Sequence, residues 1–270
     1  MLLLSGYYPG GLQDAAALAH SANGPCAPER GFPEHALLHV LGQVASAVAH
    51  LHAQDPAVAH RDVKMENVLL DCAPGECAAG RGRVVLCDFG SATTRAQVYE
   101  TRGEMLEEEE RIQKFTTAVS SFPRTKRTRL VLPPVLTGHV SSQAYRAPEM
   151  VDLYQKQRVD TKVDVWALGV LLFLLAYNYF PFDPTSPLAT LSGRYVVPSG
   201  APEFPRVARL LAAALATKPA ARCSVGELIA LIEGNGTSAA GGGGVAVSVQ
   251  RGDDGGGWAD FGKAGTDGVV

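Results

Sequence analysis

Thirteen consecutive residues from Val165 to Tyr177 are apolar or glycine, and this run constrains the chain more than any other segment. A helix rises about 1.5 Å per residue, so the run falls short of the roughly 20 residues needed to cross a bilayer. With no polar face it reads as a buried helix. The chain is 46% hydrophobic over 270 residues, which excludes a wholly disordered polymer. The balance of 24 Lys+Arg against 27 Asp+Glu gives a net charge of −3 and no argument for nucleic acid or a membrane surface as partner.

The remaining elements are short. Met1 to Leu4 lacks a basic flank, is too brief for a signal segment, and reads as the end of a buried strand. Leu12 to Ala19 suits a short helix that stops near Asn23-Gly24. Pro33 opens a longer one, in which Leu37, Leu38, Leu41, Val44, Ala45, Val48 and Leu51 recur at helical spacing. Short strands are expected near Val68 to Leu70 and Val84 to Leu86. Ser91 to Val140 is polar and irregular, with an acidic run at Glu107 to Glu110 and a basic one at Arg124 to Arg129, both read as solvated surface. Further helices are expected at 163–176, 206–216 and 225–232. After Glu233 the composition turns to Gly, Ser and Ala, which predicts a disordered tail. The five cysteines form no C-x-x-C pair, which suits reduced thiols.

Three short motifs arrive in a fixed order. His60-Arg61-Asp62-Val63-Lys64-Met65-Glu66-Asn67 matches H-R-D-x-x-x-x-N, Asp88-Phe89-Gly90 follows a strand, and Ala147-Pro148-Glu149 comes later. Each alone is weak, but in this order the sequence resembles the eukaryotic protein kinases. Phosphoryl transfer needs positioning and charge neutralisation more than covalent help. In that chemistry Asp62 accepts the proton of a substrate hydroxyl, Lys64 meets the transferring phosphoryl group, and Asn67 and Asp88 hold Mg²⁺ beside ATP. A Lys at position 64 marks Ser/Thr-directed members. The resemblance further implies that Glu149 pairs with Arg222, and that Asp164 hydrogen-bonds the backbone of the His60–Arg61 turn. Tyr8, Leu69 and Cys87 would line the nucleotide floor. His60, Arg61, Phe89 and Gly90 have framing roles.

A narrower resemblance rests on Leu86-Cys87-Asp88-Phe89-Gly90-Ser91-Ala92-Thr93-Thr94, Tyr145 to Tyr154 and Asp164-Val165-Trp166-Ala167-Leu168-Gly169, which look like the numb-associated kinases. It implies an extra helix at residues 152–162, protein substrates that include clathrin-adaptor subunits, and a cytoplasmic location, peripheral at endocytic or Golgi membranes. In the tail, Trp258 and Phe261 form a W-x-x-F among acidic residues, of the type that binds adaptor appendage domains.

The first lysine in the chain is Lys64, and no G-x-G-x-x-G precedes it. Kinases place both a phosphate-covering Gly-rich loop and a β3 Lys ahead of the H-R-D motif. Leu2 to Gly11 resembles the last N-lobe strand and the hinge, so the chain is expected to start there and to hold the phosphates poorly. About 26 residues, roughly 118–143, also separate Glu110-to-Thr117 from Tyr145, where the family has few. They read as a solvated loop or translated intron, or else as a docking insert. The expected fold is α+β and mainly α-helical, a kinase-like C-lobe over residues 1–232 with only a remnant of the N-lobe, followed by the tail at 233–270. The alternative to a Ser/Thr kinase is a truncated pseudokinase acting as a protein-binding module.

Overall fold

The computed structural model describes residues 8, 10–21, 31–117, 142–184, 186–198 and 201–234. The apolar run becomes the helix Lys162–Tyr177, in which every residue from Val163 to Tyr177 is buried. The other elements are arranged to cover it. Helix α1 (Leu12–Ala19) and helix α2 (Glu34–His52) form where periodicity places them, and Pro33 sits just before α2. The central helix, the sixth in chain order, packs against α2 on one side and against the helix Pro205–Ala214 on another. At Gly169 a Cβ would lie 2.8 Å from Leu215 Cδ2 and 2.9 Å from Ala214 Cβ, so only glycine permits that close approach.

Strand β1 (Gly10–Gly11), strand β2 (Val68–Leu70) and strand β3 (Val84–Leu86) make one small antiparallel sheet in that order. Val68 faces Leu86 and Leu70 faces Val84 across the ladder. Val68 and Leu70 are fully buried and Leu69 only half, which is the period of two expected of a sheet with one face on the core. Helix α3 (Pro74–Ala78) lies in the β2–β3 connection.

Two expectations are corrected beyond the sheet. The stretch read as irregular contains the helix α4 (Arg102–Thr117), whose inward stripe is Met105, Glu108 and Ile112. Residues 152–162 form no α-helix. After α5 (Pro148–Val151) there is one 3-10 turn, Leu153–Gln155, capped by the Asp152 carboxylate, which accepts from Tyr154 N at 3.0 Å. Lys156 then turns left-handed at φ 51°, and Val159 pairs with Gln97 in an isolated antiparallel bridge. That pairing draws the backbone straight until Asp160 Oδ1 accepts from Lys162 N at 2.8 Å, at the start of α6 (Lys162–Tyr177).

Helices α7 (Pro187–Ser192), α8 (Pro205–Ala214) and α9 (Val225–Glu233) complete the lobe. Ser224 and Glu227 cap α9 reciprocally: Ser224 N donates to Glu227 Oε2 at 2.6 Å, and Glu227 N donates to Ser224 Oγ at 3.2 Å. The architecture is mainly helical with a small sheet, as expected. Among the described residues no helix is long and apolar enough to cross a membrane. The expected strand at Met1 to Leu4, the basic run at Arg124 to Arg129, most of the 118–143 insertion, and the tail with Trp258 and Phe261 lie outside the described residues.

Candidate active site

The loop after α2 is hung from α6 by a single carboxylate. Asp164, fully buried in the first turn of α6, accepts from His60 N at 2.7 Å and from Arg61 N at 2.8 Å. His52 Nε2, at the end of α2, lies 2.8 Å from the same carboxylate. A carboxylate is favoured at a helix N-terminus, where backbone N–H groups lack partners. The tie also holds Arg61 in a left-handed conformation, φ 64°, which a long side chain adopts only when its surroundings over-determine it. On the far side Ala59 and Thr93 exchange backbone hydrogen bonds at 2.8 and 2.9 Å.

The His60 ring is buried beneath this turn. Its Nδ1 accepts from Asp62 N at 3.3 Å, so its Nε2 carries the proton directed at Cys87 O, 3.2 Å away. Burial pushes the imidazole below the ordinary histidine value even with Asp164 and Asp62 nearby, which favours the neutral ring. Phe89 packs against it at a tilt of 58°, 5.1 Å between centroids, while remaining 52% exposed.

Asp62, Lys64 and Asn67 come together in one loop. All three are buried, at 7%, 3% and 4% exposure. Lys64 Nζ donates to Asp62 Oδ2 at 2.7 Å, and Asn67 Nδ2 donates to the same oxygen at 2.9 Å and to Asp62 O at 2.8 Å. Both side chains load Oδ2, and no described residue donates to Oδ1. The carboxylate is therefore held and aimed, with one oxygen left by the described residues for a substrate hydroxyl. Lys64 Nζ also donates to Ser142 Oγ at 2.9 Å, and Met65 N reaches Tyr145 Oη at 3.5 Å. Ser142 was not singled out from the sequence, because it falls in the stretch read as an insertion; its place three residues before Tyr145 is the only local signal.

Asp88 is brought beside Asn67 by the sheet. Val68 and Leu86 are register partners, and Cys87 N donates to Asn67 O at 2.8 Å, so the two chains leave the ladder side by side. Asp88 is exposed, has φ 63°, and accepts from Gly90 N at 3.2 Å. Asn67 spends its N–H group on Asp62, which leaves its amide oxygen outward. An amide oxygen and a carboxylate are the hard donors that Mg²⁺ prefers. Among the described residues no three His, Cys, Asp or Glu side chains converge as an all-protein metal cage, so a Mg²⁺ ion held by Asn67 and Asp88 would need further ligands from phosphate oxygens or water. Of the expected nucleotide floor, Leu69 and Cys87 are half-buried, and burial pushes the Cys87 thiol up. Tyr8 is half-buried just ahead of β1, which pairs with the strand carrying Leu69.

Two framing pairs of glutamate and arginine close the site from below and beside it. Arg222 is fully buried and grips Glu149 with both terminal nitrogens, at 2.7 and 2.9 Å, as predicted. It also donates to Ala216 O at 3.0 Å and Lys162 O at 2.8 Å, and its guanidinium lies 5.1 Å from the Trp166 ring centroid. The second pair was not foreseen. Glu108, in the acidic run expected to be solvated, is 1% exposed and meets Arg61 Nη1 at 2.5 Å. Arg111 Nη1 lies 3.5 Å from its other oxygen, and burial with the Glu108 charge pushes the Tyr99 phenol up to about 12. The run is corrected accordingly: the α4 stripe turns Glu108 inward while Glu107 and Glu110 stay exposed. Between α4 and the Asp62 loop opens a cavity of about 280 Å³, lined among others by Arg61, Asp62, Arg95, Arg111 and Arg146.

The family model described as "Protein kinase domain" matches residues 14–230. A probable serine/threonine-protein kinase of Dictyostelium discoideum is 35% identical over 73% of this chain and 20% of its own length. A second from the same organism is 33% identical over 62% of the chain and 12% of its own. The serine/threonine-protein kinase ppk30 of Schizosaccharomyces pombe is 32% identical over 71% of the chain and 17% of its own. The chain thus spans a fifth or less of the length of these curated relatives. With its H-R-D loop, D-F-G turn and buried Glu149–Arg222 pair in one lobe, the chain belongs to the protein kinase domain family.

Proposed function

We propose that this chain carries the phosphoryl-transfer residues of a serine/threonine protein kinase. The observation that carries the reading is the loading of Asp62: Lys64 and Asn67 both donate to Oδ2, and no described residue donates to Oδ1. Asp62 Oδ1 takes the proton of a Ser or Thr hydroxyl as its oxygen bonds to the γ-phosphorus and the bond to the ADP oxygen breaks. Lys64 offsets charge on the moving phosphoryl group. Asn67 and Asp88 are the residues that would hold Mg²⁺, which supplies charge neutralisation to the ATP phosphates when bound. Asp62→Asn keeps the shape and removes the base. It is expected to lower transfer to a Ser/Thr peptide by about 10²–10⁴-fold and also to lower the melting temperature, because Lys64 loses its buried carboxylate partner. Equal activity in Asp62→Asn and wild type would remove Asp62 from this role.

No lysine precedes Lys64, so the Lys that kinases place ahead of the H-R-D motif has no counterpart within residues 1–59. This chain alone is therefore proposed to bind ATP weakly and to turn over slowly; rates typical of kinases from purified 1–270 would overturn that. The same feature favours a second reading, a pseudokinase-type binding module. A Mg²⁺-dependent thermal shift with ATP discriminates, since a pure binding module gives none.

Within the family we assign the chain to the numb-associated group, on the strength of the segments at 86–94, 145–154 and 164–169. The extra helix that this resemblance implied is absent, so the assignment rests on sequence alone. Clathrin-adaptor subunits are the corresponding protein substrates, with Trp258 and Phe261 as an appendage-binding motif, in a cytoplasmic protein peripheral to endocytic or Golgi membranes. A pull-down with adaptor appendages that Trp258→Ala leaves undiminished removes the tail from this proposal.

A further inference from the structure

Four successive glutamates lie on α4, and only Glu108 is turned fully inward, between Met105 and Ile112 on the buried stripe. A buried carboxylate is costly unless paired. Its main partner comes from elsewhere in the chain: Arg61, the residue before Asp62, whose side chain is 9% exposed. Arg61 is thus pinned twice. Its backbone N–H is held by Asp164 at 2.8 Å and its guanidinium by Glu108 at 2.5 Å, while its φ of 64° needs such over-determination. With Arg111 also near, two guanidinium groups face one carboxylate, a surplus of positive charge that suits a more highly charged anion. Kinase segments in this position are commonly ordered by a covalently added phosphate paired to arginine.

We propose that Glu108 is a positioning residue: its carboxylate stands where such a phosphate would, and clamps the Arg61–Asp62 turn with no phosphorylation of this segment. The inference rests on the kinase reading for its significance, but its test does not require catalysis. Amide hydrogen exchange across residues 60–67 is compared in wild-type 1–270, in phosphatase-treated wild type, in the isosteric Glu108→Gln, and in Glu108→Ala. The expected result is unchanged protection after phosphatase treatment, and roughly tenfold faster exchange in both variants. Millimolar inorganic phosphate, against chloride at equal ionic strength, is expected to restore protection and raise the melting temperature by several degrees in Glu108→Ala, where the guanidinium groups face a vacated space. It should do neither in wild type. A merely structural glutamate would not be replaceable by an anion in solution. The proposal is overturned by unchanged exchange in Glu108→Gln, by equal phosphate effects in wild type and Glu108→Ala, or by loosening on phosphatase treatment; this last arm decides even if neither variant folds. A chain that transfers no phosphate defeats the functional reading and leaves these readouts standing.

Discussion

Arg222 and Arg61 each meet one buried glutamate, yet the two pairs are built for different ends. The Arg222–Glu149 pair is bidentate, both side chains are sealed from solvent, and backbone carbonyls take up further guanidinium donors. The Arg61–Glu108 pair is held through one nitrogen and one oxygen; among the described residues Arg61 Nε has no hydrogen-bond partner and Glu108 Oε2 has only the Arg111 ion pair at 3.5 Å. Saturation makes the first a fixed bolt between α5 and the chain just ahead of α9. Spare capacity makes the second adjustable, at the place where the catalytic turn is set.

That contrast predicts a ranking of effects. Arg222→Leu strands Glu149 in a sealed site and should cost about 3–5 kcal/mol, read as a shifted urea midpoint. A loss under about 1 kcal/mol would mean that the pair is no bolt. Glu108→Gln keeps shape and one hydrogen bond, so its cost should be smaller, about 1–3 kcal/mol. A larger loss than that of Arg222→Leu would invert the comparison.

Acid offers a milder probe. Burial holds His20 below the ordinary histidine value, with Nε2 3.0 Å from Leu175 O and the ring edge-on to Phe32. The unfolded chain therefore binds more protons there, and stability falls as pH drops from about 6.5 toward the lowered folded value. His60 acts in the same sense. The measurement is accordingly a difference: His20→Gln should flatten the decline of the urea midpoint between pH 7.5 and 5.5, and equal slopes would contradict it. The smallest effect belongs to the exposed pair Arg83–Asp71, 70% and 41% exposed. Arg83→Ala should cost under about 1 kcal/mol, and less still in high salt.

The difference between the two pairs also marks what could be read from the residues beforehand. The α6 helix was legible because burial on every side leaves an uninterrupted apolar run, and Asp62, Lys64 and Asn67 because their spacing repeats a known catalytic loop. Helix α4 was not, since its inward stripe has a glutamate at its centre, and that glutamate is buried only because Arg61 reaches it from 47 positions away. Ser142 was hidden for the same reason: its partner Lys64 is 78 positions distant. The extra helix expected at 152–162 failed locally, through the Asp152 cap and the bridge from Val159 to Gln97. Pattern reports a residue's neighbours in sequence, and these features depend on neighbours in space.

The Asp164 carboxylate carries a last consequence, for the order of assembly. Its partners His60, Arg61 and His52 stand 104, 103 and 112 positions before it in the chain. The His60–Arg61 turn gains its Asp164 ties only when α2 and α6 have docked across that separation. Closing so long a loop is entropically costly and is recovered only when the core is formed. Competence for chemistry is thus a late event in folding, and a chain caught part-way exposes apolar surface without ever presenting an aimed Asp62.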